Sequence, residues 1–127
     1  MANILLVEDD LDLIAAYTIV LEAAHHNVRK AHNGDEALAA VKNYEPDLII
    51  LDLLMPIKSG KEFLKSYKRN TAHQKVKIVV FTNMQDAGEA EEVYELGADK
   101  YFVKSWTGPT GLLKIVDEVT GVISPTS

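Results

Sequence analysis

At 127 residues, 47% hydrophobic and 25% charged, the chain fits one globular domain with a real core and has none of the biases that mark disorder, collagen or coiled coil. The lack of cysteine excludes disulfides, thiolate zinc sites and cysteine nucleophiles, and a net charge of −6 with no basic stripe excludes a chain whose main task is to hold nucleic acid. No apolar run approaches a membrane span and the N-terminus lacks the basic region and cleavage site of a signal peptide, so a cytoplasmic protein without a membrane partner is expected.

Asn3 to Val7 reads as a buried strand, after which Leu11, Ile14, Ala15, Thr18 and Leu21 recur at helical spacing. His26 to Ala31 is a short, half-buried strand, and Asn33-Gly34 turns the chain into the helical pattern Ala37, Leu38, Val41. Adjacent His25 and His26 sit at the helix-to-strand turn and read as surface loop histidines, since neighbours in sequence do not share a helix face.

Leu48 to Leu51, introduced by Pro46-Asp47, is the continuous apolar run of a strand buried on both faces and is placed at the centre of the sheet. After Met55-Pro56 and Gly60, Glu62 to Tyr67 is helical, and Val76 to Phe81 is a further buried strand. Ala87 to Leu96 forms a helix stopped by Gly97, Lys100 to Val103 a fifth strand and Thr110 to Val119 a last helix. Residues 1–123 thus form one domain, with Ser124 to Ser127 a short frayed tail.

Five strands alternating with five helices imply an α/β fold, a doubly wound parallel sheet with right-handed crossovers and the strand order 2-1-3-4-5. In such a sheet the site lies beyond the carboxyl ends of the strands where the order reverses, here between strands 1 and 3. Glu8 and Asp9 end strand 1 and Asp52 ends strand 3, on strands roughly 5 Å apart. Carboxylates gathered in this way repel one another unless a cation compensates them. Three acids and water describe a site for a hard divalent cation, Mg²⁺ first, bound at roughly 2.1 Å. Asp10 is better read as the cap of the following helix. A calcium loop fails, because Ile14, Ala15 and Leu21 stand where its third acid, glycine and closing glutamate belong.

An exposed carboxylate at a strand end beside a metal can attack phosphorus, and Asp52 is so placed. Thr82 ends strand 4 and can donate a hydrogen bond; Lys104 ends strand 5 and carries a point charge long enough to reach a phosphate oxygen.

The ordered set ILLVEDD, PDLIILDLLMP with SG following, VVFT and GADKYFVK resembles the receiver domain of bacterial response regulators over nearly the whole chain. The resemblance implies a flavodoxin-like (βα)5 fold in which Asp52 is the phosphoacceptor. It implies that Glu8, Asp9, Asp52 and the Leu54 backbone carbonyl hold Mg²⁺, and that Thr82 and Lys104 bind the phosphoryl oxygens. Thr82 and Tyr101 would be the switch residues, although Tyr101 reads equally as a strand-end aromatic with its hydroxyl in water. The implied partners are a histidine kinase or phosphotransfer protein and a separate downstream effector on the helix 4, strand 5 and helix 5 face. The expected form is a stand-alone single-domain type, monomer or weak dimer, that catalyses its own phosphorylation and dephosphorylation without rapid turnover.

The sequence departs from the family pattern at two places. Ser105 follows Lys104 where the family usually has proline, so a trans peptide or a rearranged loop is expected, since a cis bond before serine costs roughly 3–4 kcal/mol. Asn83 follows Thr82 where a small residue is usual and narrows access to the phosphoryl group. Trp106 is expected to anchor the adjacent loop by packing. Leu54 and Met84 offer no polar group to hold an attacking water, which implies a comparatively long-lived phosphoryl state.

The competing class is a receiver-like interaction module that works without phosphorylation; Asn83 and Ser105 favour it, and intact Asp52, Thr82 and Lys104 oppose it. A haloacid-dehalogenase-like phosphatase needs a second acid at position 54, which is leucine. A flavodoxin-like cofactor site needs a donor-rich loop where this one is acidic.

Overall fold

The computed structural model describes residues 2–67, 75–83 and 87–121. In chain order they form β1 Asn3–Val7, α1 Leu11–Ala23, β2 Asn27–Ala31, α2 Gly34–Lys42, β3 Leu48–Leu51, α3 Gly60–Ser66, β4 Lys77–Thr82, α4 Ala87–Glu95, β5 Lys100–Val103 and α5 Pro109–Thr120. All strand pairs are parallel and the sheet order is β2-β1-β3-β4-β5, as the alternating pattern required. Met84 and the tail from 124 onward lie outside the described residues.

The apolar runs are continuous because the central strands are covered on both faces. Ile4, Leu6, Leu48, Ile50, Val79 and Phe81 face a layer containing α1 and α5. Leu5, Val7, Ile49, Leu51, Ile78 and Val80 face the layer of α2, α3 and α4. Each such side chain contributes about 1.5–3 kcal/mol when fully buried. At the opposite end of the sheet from the acids, Asp47 ties β1 to β3 by accepting from the Asn3 amide at 2.7 Å, and Asp99 accepts from Ile78 N–H at 2.7 Å.

Several local expectations shift. α1 buries Ile14, Tyr17, Thr18 and Leu21, whereas Leu11 and Ala15 are exposed because they lie one step round the helix from that stripe. The Tyr17 ring meets Phe81 edge-on at 5.5 Å. β2 begins at Asn27, one residue later than expected, and His26 is not a surface histidine. Its backbone N–H bonds to Leu21 O and its Nδ1 accepts from Ala2 N–H at 3.0 Å, which draws the ring inside while His25 stays exposed with φ 68°.

Two helices start earlier than their apolar periodicity. α3 starts at Gly60 because Ser59 and Glu62 form a reciprocal capping box, and α5 starts at Pro109, whose fixed φ suits the first turn. Trp106 is 73% exposed and anchors nothing. It sits in a single 3-10 turn, Lys104–Trp106, closed by Thr107 N–H to Lys104 O, and this tight turn points the indole away from the core.

Candidate functional site

Parallel register brings four strand ends to one rim. Val7 pairs with Leu51, Leu51 with Val80, and Thr82 with Val103, so Glu8, Asp52, Thr82 and Lys104 emerge beside one another. The ladder continues one residue past the strands: Glu8 N–H bonds to Ala31 O at 2.9 Å and Asp52 N–H to Val7 O at 3.0 Å. These bonds fix both acidic residues to the rigid sheet. Gly60 closes on the same strand end, its N–H bonded to Leu53 O; a Cβ there would stand 2.3 Å from the Asp52 carbonyl oxygen, so only glycine fits.

Lys104 places a positive charge among these acids. Its ammonium, almost fully buried, bonds to Asp52 Oδ2 at 2.9 Å and to Glu8 Oε1. Burial opposes the charge on Lys104, but the bonds to Glu8 and Asp52 outweigh it and its pKa stands above the ordinary lysine value. Burial pushes the Glu8 carboxyl upward, and the bond from Lys104 and the Asp10 amide only partly offset this. Asp52 Oδ1 accepts from Leu54 N–H at 3.3 Å. Asp10 serves as the cap of α1, its Oδ1 accepting from Asp12 and Leu13 N–H, and its own amide holds Glu8 Oε2.

Glu8, Asp9 and Asp52 each present an oxygen, all within 4.8 Å of one another. Asp52, expected as an exposed strand-end carboxylate, is buried with Glu8, while Asp9 is exposed, so the cluster has a dry floor and an open side. Three hard oxygen donors without a soft ligand suit Mg²⁺ better than a transition metal. Thr82 is wholly buried at the end of β4. Tyr101 is half-buried, opposite Val80 in the ladder, and strand alternation puts it on the same face as Thr82. The Leu54 side chain is 59% exposed.

Asn83 and Ser105 do more than the sequence reading allowed. The Ser105 N–H donates to Asn83 Oδ1 at 3.0 Å, joining the loops that leave β4 and β5, and no cis peptide occurs among the described residues. The signal was available: Thr82 and Val103 end neighbouring strands, so the residues just past them had to meet.

Residues 4–117 match the family model described as the response regulator receiver domain. The chain belongs to the response regulator receiver domain family. Chemotaxis protein CheY of Halobacterium salinarum is 30% identical over 93% of this receiver domain and 97% of its own length. "Probable transcriptional regulator ycf29" of Pyropia yezoensis is 34% identical over 92% of this chain, which spans only 52% of that relative. Among solved structures, the chemotaxis response regulator CheY4 of Vibrio cholerae superposes with a TM-score of 0.85 at 30% identity, covering 94% of this chain and 98% of that one. Receiver domains work in two-component signalling, interact with histidine kinases and downstream effectors, and generally bind Mg²⁺ at an acidic pocket. Among the described residues of this one, no helix is long and apolar enough to cross a membrane.

Proposed function

We propose that Asp52 accepts a phosphoryl group from the phosphohistidine of a histidine kinase or phosphotransfer protein, and that the resulting aspartyl phosphate switches a protein-binding surface. The reading is carried by one observation: a buried carboxylate 2.9 Å from a buried ammonium, at a rim where two further carboxylates converge. An Asp52 oxygen forms the new bond to phosphorus as the bond to the donor imidazole breaks; the imidazole keeps the electron pair and takes up a proton. The transition state is loose and spreads charge over the equatorial oxygens, so positioning and fixed positive charge matter most. Lys104 supplies that charge and Thr82 a hydroxyl donor. Glu8, Asp9, Asp52 and the Leu54 carbonyl would hold Mg²⁺, which when bound adds positive charge against the phosphoryl oxygens.

In the same reading Thr82 moves toward the phosphoryl oxygens and Tyr101, on the same face, turns inward into the space released. The surface of α4, β5 and α5 changes with it and a separate effector reads the change. The test is intact mass after incubation with Mg²⁺ and phosphoramidate. One phosphoryl group is expected on the wild type, none on Asp52→Asn and none with chelator. A folded, Mg²⁺-binding protein that gains no mass would instead be a receiver-like module working by contacts alone.

A further inference from the structure

Resting on that reading, we propose that Asn83 is a positioning residue for Lys104, acting through the Lys104–Ser105 peptide. Both polar groups of this peptide are engaged: its carbonyl accepts from Thr107 N–H at 3.0 Å and its N–H donates to Asn83 Oδ1 at 3.0 Å. On the other side, Val103 is held in the ladder against Thr82. A peptide plane bonded at both edges and continuous with a strand has little rotational freedom, so the Lys104 side chain leaves a fixed base. Its tip then meets Asp52 and Glu8 across the rim.

Asn83 and Ser105 are a matched pair. A proline at 105 has no N–H to donate, and a small side chain at 83 has no acceptor to offer. A cleft of about 250 Å³ borders this bond, lined in part by Tyr17, Asn83, Lys104 and Ser105. Asn83 itself is exposed, and the contact by which it reaches Lys104 is the backbone N–H it holds.

The test uses Asn83→Ala, Ser105→Pro, the double variant and Ser105→Ala, all checked for an unchanged fold by circular dichroism. The first readout needs no phosphorylation: acetylation of Lys104 by an activated ester, followed by peptide mass relative to the other lysines. Lys104 is shielded in the wild type; Asn83→Ala and Ser105→Pro are expected to raise its labelling several-fold, and Ser105→Ala, which keeps the N–H, to retain the shielding. The second is the rate of phosphorylation by phosphoramidate, expected to fall about three- to tenfold in either single variant, the span one neutral hydrogen bond covers. The double variant should be no slower than the slower single one, because both changes remove the same bond. Unaltered Lys104 labelling in Asn83→Ala, or additive slowing in the double variant, overturns the positioning role. A wild type that takes up no phosphoryl group while its Lys104 labelling still responds to Asn83→Ala overturns the phosphorylation reading and upholds the latch.

Discussion

Lys104 shows how one side chain lets two buried carboxylates coexist. Lys104→Met leaves Glu8 and Asp52 facing each other without a cation, and a loss of about 3 kcal/mol at pH 7 without Mg²⁺ is expected, as when one partner of a buried ion pair is removed. The pH dependence follows from the raised Glu8 pKa. The folded state takes up that proton before the unfolded state does, so this group's contribution to stability rises as pH falls from the raised value toward the ordinary 4.5 and is lost as pH rises. The difference between wild type and Lys104→Met should therefore narrow between pH 7 and pH 5 in urea unfolding. A constant difference would show that Lys104 does not act through the charge of Glu8. His26 gives the opposite sign. Burial lowers its pKa, so its contribution is complete above the ordinary 6.5 and declines as pH falls below it. Because Nδ1 accepts from Ala2, the neutral ring carries its hydrogen on Nε2, a buried atom with no partner among the described residues. His26→Asn keeps an acceptor near Nδ1 and should flatten the decline in stability between pH 7 and pH 5.5; an unchanged slope would show that other groups set it.

Elements are positioned at the site by close backbone approach as much as by side chains, and α3 is the clearest case. Gly60→Ala puts a methyl group 2.3 Å from the Asp52 carbonyl, where backbone has to move, and a loss of about 1–3 kcal/mol is expected together with weaker Mg²⁺ binding, since Asp52 moves with its peptide. Ser59→Ala removes only the capping box, and about 1 kcal/mol of stability should go with no change in Mg²⁺ affinity. Equal effects of the two on metal binding would mean that the Gly60 contact does not aim Asp52. The same distinction explains what the sequence made legible. Strands with continuous apolar runs were placed to within a residue because burial on both faces leaves no alternative pattern, and the meeting of Glu8, Asp9, Asp52 and Lys104 followed from strand order alone. The helix starts at Gly60 and Pro109 lie outside the periodic pattern because a capping box sets the first and the fixed φ of proline the second. His26 and Trp106 were misplaced because the inward or outward aim of a turn residue depends on hydrogen bonds to distant backbone, from Ala2 in one case and within a 3-10 turn in the other.

At the scale of the whole molecule, the two helical layers meet the site differently. Thr82 and Tyr101 share the face covered by α2, α3 and α4, and α4 is tied to α3 by Lys61, whose ammonium reaches Glu89 at 2.7 Å and Glu92 at 3.1 Å. In the proposed switch, a change at the rim would reach the α4 side through a strand end, while α1 and α5 pack on the other face. A ligand that binds only the folded arrangement also stabilises the entire domain by mass action, by about 1.4 kcal/mol at ten times its dissociation constant, or roughly 5 °C in Tm for a domain of this size. Mg²⁺ should produce such a rise, because its proposed ligands come from β1 and β3 and exist as a cluster only when the sheet is formed. Asp9 separates this effect from structural damage. It is exposed, so Asp9→Asn should melt within about 0.5 kcal/mol of the wild type in chelator, the usual range for a surface substitution. With Mg²⁺ the variant should gain far less than the wild type at the same concentration. A wild-type Tm indifferent to Mg²⁺ up to millimolar levels would remove the metal from the proposed mechanism, leaving Lys104 as the sole positive charge at Asp52 among the described residues.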